Sequence, residues 1–389
     1  MHQRWLILAV LTFARTVIGF QFQSVAAIAP FLIDQLQISY AALGTLIGLY
    51  LFPGAAVAIP GGVLAQRFGD KWIACIGLVA MACGALVMAS VDNFALLAAG
   101  RIVSGTGAVF LNVIVTKMAT DWFQGQNTAV ALAILIASWP IGIAIALVLL
   151  PALAKTASWP LAIYATMAAS VVAFALVALF YRAPAGAASD QRTGIRFDLT
   201  RRELSLAVLA GLVWTFYNIG FIIVLAFGPE FLIASGDSAT RASAIVSTVG
   251  WLIIPTLPLG AWLAERTGRP YITMIGSFLI AAVLIGLVAS VGPSALLFAL
   301  IGLIFGPPGG LIMAMPGQAV RAERRAIAIG VYFTCYYVGM GVLPTFAGYA
   351  RDLTGSAAAP LWFATAMLVV ATLALLQFRL IQSRVLPTA

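Results

Sequence analysis

The chain has 389 residues, of which 63% are hydrophobic and only 8% are charged, and its mean hydropathy is +1.07. Soluble globular domains are about 45–50% apolar and about 25% charged, so this composition excludes an ordinary soluble fold. The formal net charge of +9 is spread over short clusters between apolar runs. Because no stripe of Lys and Arg with interleaved aromatic residues occurs, nucleic acid is excluded as a partner.

Twelve apolar segments, each about as long as the roughly 20 residues that a membrane-spanning helix needs, follow one another along the chain. Their predicted ranges are 5–29, 42–64, 72–91, 94–118, 127–150, 159–181, 204–230, 242–264, 271–291, 294–320, 326–350 and 359–381. The longest polar interval divides the chain into an N-terminal bundle at 1–181, a cytoplasmic linker at 182–203 and a C-terminal bundle at 204–389. The sequence therefore predicts an all-α membrane protein with twelve transmembrane helices in two pseudo-symmetric six-helix bundles.

The distribution of basic residues predicts the orientation, because cytoplasmic loops carry an excess of Lys and Arg. With the N-terminus in the cytoplasm, sixteen basic residues lie inside or at inner helix ends, and three lie outside: Lys155, Arg241 and Arg351. We therefore expect a multi-pass protein of the plasma (inner) membrane with both termini in the cytoplasm. Its expected partners are the lipid bilayer and a small-molecule solute, and the chain is expected to be a monomer.

The two halves share a sequence pattern. The segment Gly61–Gly69 aligns with Gly260–Gly268 at a shift of 199 residues, and at the same shift Ile76-Gly77 meets Ile275-Gly276. Similarity so far apart in the chain indicates duplication. Two repeated halves joined by a long loop suit a binding site at their interface that opens alternately to each side of the membrane.

The chain resembles the major facilitator superfamily over nearly its whole length. Residues 62–71 are similar to the family's G-x-x-x-D-R-x-G-R-K loop, with Gln66 in place of the aspartate and Asp70 in place of a basic residue. The resemblance implies gating roles for residues of this loop and of its second-half counterpart. These gating candidates are Gly62, Arg67, Gly69, Glu265, Arg266 and Gly268.

Further motifs support the resemblance. Arg101 begins a segment similar to the family's R-x-x-x-G-x-G motif, and Trp139-Pro140-Ile141-Gly142 partly matches an antiporter-associated pattern. The latter segment, together with the ending Gly348-x-x-x-Asp352 of the eleventh span, is similar to cyanate- and nitrate-transporter-like members. The glycine-repeat signature of nitrate porters is missing from the fifth span.

Arg15 lies ten residues into the first predicted span, where a charged group is costly and by default marks a functional site. Gly19 and Phe22 share its helix face at 100° per residue. A guanidinium makes forked hydrogen bonds to carboxylate-like oxygens, which favours a clamp for an anion. The alternative is a structural charge paired with helix carbonyls or a loop carboxylate.

Arg101 and Asn112 lie on one polar face of the fourth predicted span. Arg101 is a candidate for solute contact, although in the family this arginine is often structural or linked to proton movement. Asn112 is the deeper of the two and is a candidate hydrogen-bonding residue near the middle of the membrane. Trp139 is either a solute contact or a packing element beside Pro140.

Aromatic residues with polar tips gather on single faces of the seventh and eleventh predicted spans. Such residues can line a cavity and orient a ligand, and the alternative is helix packing or an interfacial belt. The candidates for solute contact are Trp214, Tyr217, Asn218, Tyr332 and Tyr336. In the tenth span, Pro307-Pro308 interrupts helix hydrogen bonds, and Pro308 is a candidate hinge of a gate.

All twelve acidic residues lie outside the central parts of the spans, and Asp34 and Glu230 come nearest, at outer helix ends. A buried positive charge is unstable until an anion neutralises it, which favours an anionic solute. Proton coupling would need Asp34, Glu230 or a proton bound with the anion itself. Exchange of anions or uniport needs no titrating group.

The sequence therefore predicts a secondary active transporter or exchanger for a small organic or inorganic anion, working by alternating access. The alternative is proton-coupled efflux of hydrophobic drugs or lipids, which the aromatic spans favour and Arg15 disfavours. A membrane-embedded enzyme is disfavoured because the single histidine is at position 2 and no catalytic or metal-ligand cluster is present in the sequence. No cofactor and no metal are expected.

Overall fold

The computed structural model describes residues 2–124, 127–156, 158–184, 199–321 and 324–383, and within these ranges all regular structure is helical. The helices are α1 (His2–Ala27), α2 (Ala29–Leu36), α3 (Tyr40–Leu49), α4 (Gly54–Phe68), α5 (Asp70–Ala89), α6 (Phe94–Trp122), α7 (Thr128–Thr156), α8 (Trp159–Phe180), α9 (Arg201–Ala234), α10 (Ala239–Thr267), α11 (Pro270–Val291), α12 (Ala295–Ala319), α13 (Arg325–Thr354) and α14 (Ala359–Ser383).

Twelve helical segments of the described chain are long and apolar enough to cross a membrane, which confirms the predicted number of spans. The first span ends at Ala27, as predicted to within two residues, and is followed by the short helix α2, whereas the second predicted span, 42–64, is divided between α3 and α4. Pro30 lies in the first turn of α2, directly after a break at Ile28, and Pro53 lies in the turn between α3 and α4. Proline has no N–H to continue the helical hydrogen-bond ladder, which accounts for an interruption at these places.

The chain folds into two compact units. The first comprises Met1–Ile38 and Thr45–Arg192, and the second comprises Ser39–Gly44 and Thr193–Ala389. The start of α3 thus belongs to the second unit, which the predicted division at 182–203 did not include. That predicted linker lies mostly outside the described residues.

The same helix pairs pack inside each unit. In the first unit α4 packs on α6, α5 packs on α6 and α8, and α1 packs on α7 and α8. In the second unit the corresponding pairs are α10 with α12, α11 with α12 and α14, and α9 with α13 and α14. The internal sequence repeat therefore corresponds to a repeat of helix packing within the two bundles.

Local signals at helix ends agree with this architecture. Thr200 and Glu203 form a capping box at the start of α9, in which each side chain bonds the other's backbone N–H. The repeated loop glycines Gly69 and Gly268 both have positive φ, +89° and +65°. Residues with a Cβ are disfavoured at such φ values, so the repeat preserves glycine where the chain leaves one span for the next.

Candidate functional site

Arg15 is fixed by helices α1, α6 and α7 of the first unit. It is residue 13 of the 25 in the span Gln3–Ala27 and therefore lies at its middle. Its Nε donates to Asn112 Oδ1 at 3.0 Å, and its Nη1 donates to the carbonyl oxygen of Leu135 at 2.5 Å. Both of these acceptors are neutral groups. The structure thus brings together Arg15 and Asn112, which the sequence had placed on separate spans.

The other candidates of the first unit adjoin this pair. A Cβ on Gly19 would overlap the carbonyl oxygen of Trp139, so glycine lets α1 approach α7 closely. The rings of Phe22 and Trp139 lie 5.4 Å apart, centroid to centroid. One turn before Arg15, the hydroxyl of Thr12 is buried without a hydrogen-bond partner among the described residues. Helices α1 and α7 therefore carry Gly19, Phe22 and Trp139 as one packed group next to Arg15.

Arg101 has a different environment from Arg15. Its side chain is completely buried, and its three nitrogens donate to the carbonyl oxygens of Leu46 (2.9 Å), Gln21 (3.0 Å) and Phe22 (2.9 Å). The guanidinium also lies over the Tyr50 ring, 4.5 Å from its centroid. These contacts satisfy the group within the protein and hold α1, α3 and α6 together. Solute contact by Arg101 stays a prediction, and the geometry favours the structural alternative.

Trp214 is the centre of an aromatic cluster in the second unit. Its ring lies 5.6 Å from Tyr217, 6.3 Å from Tyr332 and 6.1 Å from Tyr336. The first two pairs are stacked, an arrangement typical of attractive aromatic contacts. Helices α9 and α13 thus bring four of the five polar-tipped candidates into one group. Asn218, the fifth, donates to the Trp214 carbonyl oxygen at 2.8 Å and stays on the same helix face.

The hydroxyl groups of this cluster differ in their partners. The buried Tyr217 hydroxyl donates to the carbonyl oxygen of Phe305 on α12. The Tyr332 hydroxyl is buried and has no hydrogen-bond partner among the residues that the structure describes. A buried polar group without a partner is costly, and a ligand oxygen can satisfy it. Pro308 is buried in α12, three residues beyond Phe305, so the candidate hinge adjoins the cluster.

The two coupling candidates are placed differently. Asp34 is exposed on α2, whereas Glu230 near the end of α9 accepts a hydrogen bond from the Tyr40 hydroxyl at 2.5 Å. Arg351 Nη2 lies 3.8 Å from the Glu230 carboxylate and its guanidinium lies over the Tyr40 ring. Asp352 accepts from the backbone N–H groups of Tyr40 and Ala41 at 3.0 and 2.8 Å. Within the second unit, Glu230 therefore belongs to a charged cluster that holds the start of α3.

The gating candidates of the two repeated loops are mostly exposed. Arg67 stacks over Phe68 at 5.5 Å, and Arg266 stacks over Trp262 at 5.3 Å. Glu265 is exposed on the last turn of α10. Gly62 lies within α4, and its surroundings lie outside what the structure describes. Asp70 stands where the family pattern has a basic residue. It forms an ion pair of 2.6 Å with Lys117 on α6, within the first unit.

Sequence reasoning missed several parts of the site. Gln21 and Tyr50 are fully buried and bonded to each other at 3.1 Å, and both contact Arg101. A glutamine inside an apolar span was a signal that could have found the first of them. The carbonyl oxygen of Leu135 could not be predicted, because a backbone acceptor leaves no trace in residue type.

Twelve membrane-spanning segments and two similarly packed bundles, each with polar groups inside its spans, are typical of a multi-pass membrane transport protein. The model of the Major Facilitator Superfamily matches residues 11–344 and 216–386. The chain therefore belongs to the major facilitator superfamily, and it is a transporter and not an enzyme.

Similar proteins agree with this assignment. A hexuronate transporter of Bacillus subtilis is 22% identical over 94% of this chain and 92% of its own length. The lysosomal dipeptide transporter MFSD1 of Homo sapiens is 24% identical over 90% and 81%, and a putative tartrate transporter of Agrobacterium vitis is 23% identical over 84% and 81%. Among solved structures, a mutant of the nucleoside transporter NupG superimposes with a TM-score of 0.78 at 14% identity, covering 96% of this chain and 99% of that one. The last comparison supports the fold alone.

Proposed function

We propose that this transporter moves a small anionic solute by alternating access, and that Arg15 binds the negatively charged group of the solute. The observation that carries the proposal is a guanidinium at the middle of a membrane span that donates to the side chain of Asn112 and to the carbonyl oxygen of Leu135. A charged side chain at that depth is costly and marks a pathway or a site by default.

The chemistry of guanidinium suits this role. Arginine presents five N–H donors in a planar fork that matches the two oxygens of a carboxylate. Among the described acidic residues of the first unit, Asp92 is exposed in the loop before α6. Asp34 is exposed on α2, and both Asp70 and Asp121 pair with Lys117. Two of the relatives are named for hexuronate and tartrate. Both solutes are carboxylate anions, and this is consistent with the proposed solute class.

We further propose that Trp214, Tyr332 and Tyr336 select the shape of the solute. The Trp214 ring, stacked on Tyr332 and tilted against Tyr336, offers an apolar surface, and the buried Tyr332 hydroxyl, which has no partner among the described residues, offers a hydrogen bond. A small carboxylate with an apolar or hydroxylated body uses both features. A hydrophobic drug would use the rings alone, and for this reason the experiment below includes such compounds.

For energy coupling, we propose that Glu230 is the first residue to test. Its carboxylate accepts a hydrogen bond from the Tyr40 hydroxyl and lies close to Arg351, whereas the side chain of Asp34 is exposed. If a proton moves with the solute through Glu230, the variant Glu230→Gln loses accumulation driven by a pH gradient but keeps exchange of labelled solute. If both activities survive in Glu230→Gln and in Asp34→Asn, the transporter works as an exchanger or uniporter without a titrating carboxylate.

The proposed location is the inner membrane, with a monomeric chain and both termini in the cytoplasm. The sixteen-to-three distribution of basic residues supports this orientation. Cysteine accessibility to a membrane-impermeant reagent in whole cells tests it. An added cysteine at position 384 should be protected, and one at position 241 should react.

The decisive experiment is a thermal-shift screen of the purified protein against small monocarboxylates, dicarboxylates, nitrate, cyanate and hydrophobic drugs. A ligand that binds only the folded protein raises its melting temperature. We expect stabilisation by an anion that disappears in Arg15→Ala and is reduced in Arg15→Lys, because lysine keeps the charge but not the fork. Arg241→Ala is the matched control, since that side chain is 74% exposed.

Each outcome separates the alternatives. An anion that stabilises the control variant but not Arg15→Ala supports the proposal and narrows the solute class. Stabilisation by drugs alone, equal in Arg15→Ala and in the unaltered protein, overturns the anion proposal and favours efflux of hydrophobic compounds.

A further inference from the structure

A groove of about 660 Å³ runs along α11 in the second unit. Its walls come from the end of α10, the first half of α11 and the middle of α12, and most of the side chains are apolar. Leu263, Ile272 and Ile280 on these walls are 37%, 57% and 50% exposed. In a multi-pass membrane protein, exposed apolar side chains on spanning helices are solvated by lipid. The groove therefore opens to acyl chains.

The groove lies at a position of the internal repeat that is glycine in both halves. In the first half a neighbouring helix packs against this glycine, and in the second half the space beside it is free. Gly77 and Gly276 correspond at the shift of 199 residues. A Cβ on Gly77 would lie 2.7 Å from the carbonyl oxygen of Gly107, so α5 and α6 are in close backbone contact there. Around Gly276 no atom lies within 4 Å of such a Cβ. The missing side chain at position 276 thus leaves free space in the wall.

One end of the groove carries a positive charge. Arg269, directly before α11, is exposed, and its side chain makes no hydrogen bond or ion pair within the described part of the chain. Arg266 and Trp262 stack nearby, and Glu265 is the one acidic neighbour in this stretch of α10. Tryptophan and basic residues concentrate at the membrane surface, so this end of the groove belongs at the level of the lipid headgroups.

The length of the groove matches one leaflet of a bilayer. From Arg269 to Ile280 the chain advances eleven residues (280 minus 269), or about 16 Å at 1.5 Å per residue. The hydrocarbon core of a bilayer is about 30 Å thick, so half of it is about 15 Å. The groove therefore reaches from the headgroup level to about the middle of the membrane.

We propose that this groove binds one anionic glycerophospholipid. Its phosphate receives hydrogen bonds from Arg269, because guanidinium and phosphate form strong charge-assisted pairs. One acyl chain lies over Gly276, between Ile272 and Ile280. A free phosphate would use the arginine but not the apolar groove, and a zwitterionic lipid would use the groove but gain less from the arginine. The site is independent of Arg15 and of the solute.

Native mass spectrometry of the full chain in detergent, titrated with phosphatidylglycerol, tests the site. We expect one tightly retained lipid in the unaltered protein. Arg269→Gln loses the charge-assisted bond, and this should raise the dissociation constant for phosphatidylglycerol by about tenfold or more. Gly276→Trp should remove retention by filling the groove. Leu279→Trp is the matched control on the same helix, because Leu279 is exposed but lies outside the groove, and it should retain the lipid.

Glycerol phosphate and phosphatidylcholine are titrated in parallel. Equal binding of glycerol phosphate would overturn the lipid assignment in favour of a simple phosphate site. Equal retention of phosphatidylcholine, with no change in Arg269→Gln, would overturn the anionic headgroup. Retention that survives Gly276→Trp in a protein with an unchanged melting temperature would overturn the groove itself. If Gly276→Trp does not fold, Arg269→Gln alone decides, and an unchanged affinity for phosphatidylglycerol then counts against the proposal.

Discussion

The regions around Arg15 and around Trp214 are built by different forces. Arg15 donates directed hydrogen bonds to Asn112 on α6 and to the Leu135 carbonyl oxygen on α7. Trp214 packs against three tyrosine rings, two of which are stacked on it. Hydrogen bonds fix direction and charge, whereas stacked rings fix shape and tolerate small shifts. We therefore expect the first half to decide whether a solute is an anion and the second half to decide which anion it is.

The largest effect should separate the two arginines of the first half. Arg101→Ala removes three buried charge-assisted hydrogen bonds and a completely buried side chain, and we expect a loss of about 3 kcal/mol or more of stability. Arg15→Ala should lower solute uptake by about 100-fold, because a charge-assisted pair to the solute is worth up to about 3 kcal/mol, with a much smaller loss of stability. Thermal unfolding in detergent and uptake into proteoliposomes measure the two effects. Equal destabilisation by both variants would show that Arg15 is structural.

The next effect tests the second half. We expect Trp214→Ala to raise the KM for the solute by about tenfold, since each aromatic contact is worth about 0.5–1.5 kcal/mol, and Trp214→Phe should restore part of the affinity. Trp251→Ala on α10 is the control, because that side chain is 43% exposed and is not in the cluster. If all three variants transport alike, the rings serve packing and the comparison between the halves fails.

A smaller effect concerns the helix contact beside Arg15. Gly19→Ala places a methyl group against the carbonyl oxygen of Trp139, and overpacking of this kind costs about 1–3 kcal/mol. Gly310→Ala is the matched control, because no atom lies within 4 Å of the added Cβ. Alanine in an open helical position should instead stabilise by about 0.5–1 kcal/mol. Melting temperatures that move in opposite directions support the contact, and equal shifts contradict it.

Much of the fold could be predicted from the sequence, because a membrane span needs only length and apolar composition to be recognised. The break at Pro53 inside the second span was not predicted, since the apolar run continues across it. The grouping of Ser39–Gly44 with the second unit was also missed. It depends on Asp352 accepting from backbone N–H groups more than 300 positions earlier in the chain, and a contact of that kind has no local pattern.

For the candidate site, the sequence identified which residues share a helix face but not what faces them from other helices. Helical periodicity placed Trp214 and Tyr217 together, and the structure stacks them. It could not distinguish Arg15 from Arg101, because both are arginines inside apolar spans. The difference comes from Gln21, Phe22 and Leu46, whose carbonyl oxygens surround only Arg101. Partners supplied by the backbone become visible only when the helices are packed.

The smallest effect, and the sharpest test of the second half, comes from single hydroxyl groups. The Tyr332 hydroxyl is buried without a partner among the described residues, so Tyr332→Phe should leave stability unchanged or raise it by up to about 1 kcal/mol. The Tyr217 hydroxyl donates to the Phe305 carbonyl oxygen, so Tyr217→Phe should lower stability by about 0.5–1.5 kcal/mol, because that buried hydrogen bond is lost. If the Tyr332 hydroxyl serves the solute, Tyr332→Phe weakens solute binding even though the protein is no less stable. Opposite signs in stability and affinity cannot come from packing alone, and a Tyr332→Phe variant that binds the solute normally would remove this hydroxyl from the site.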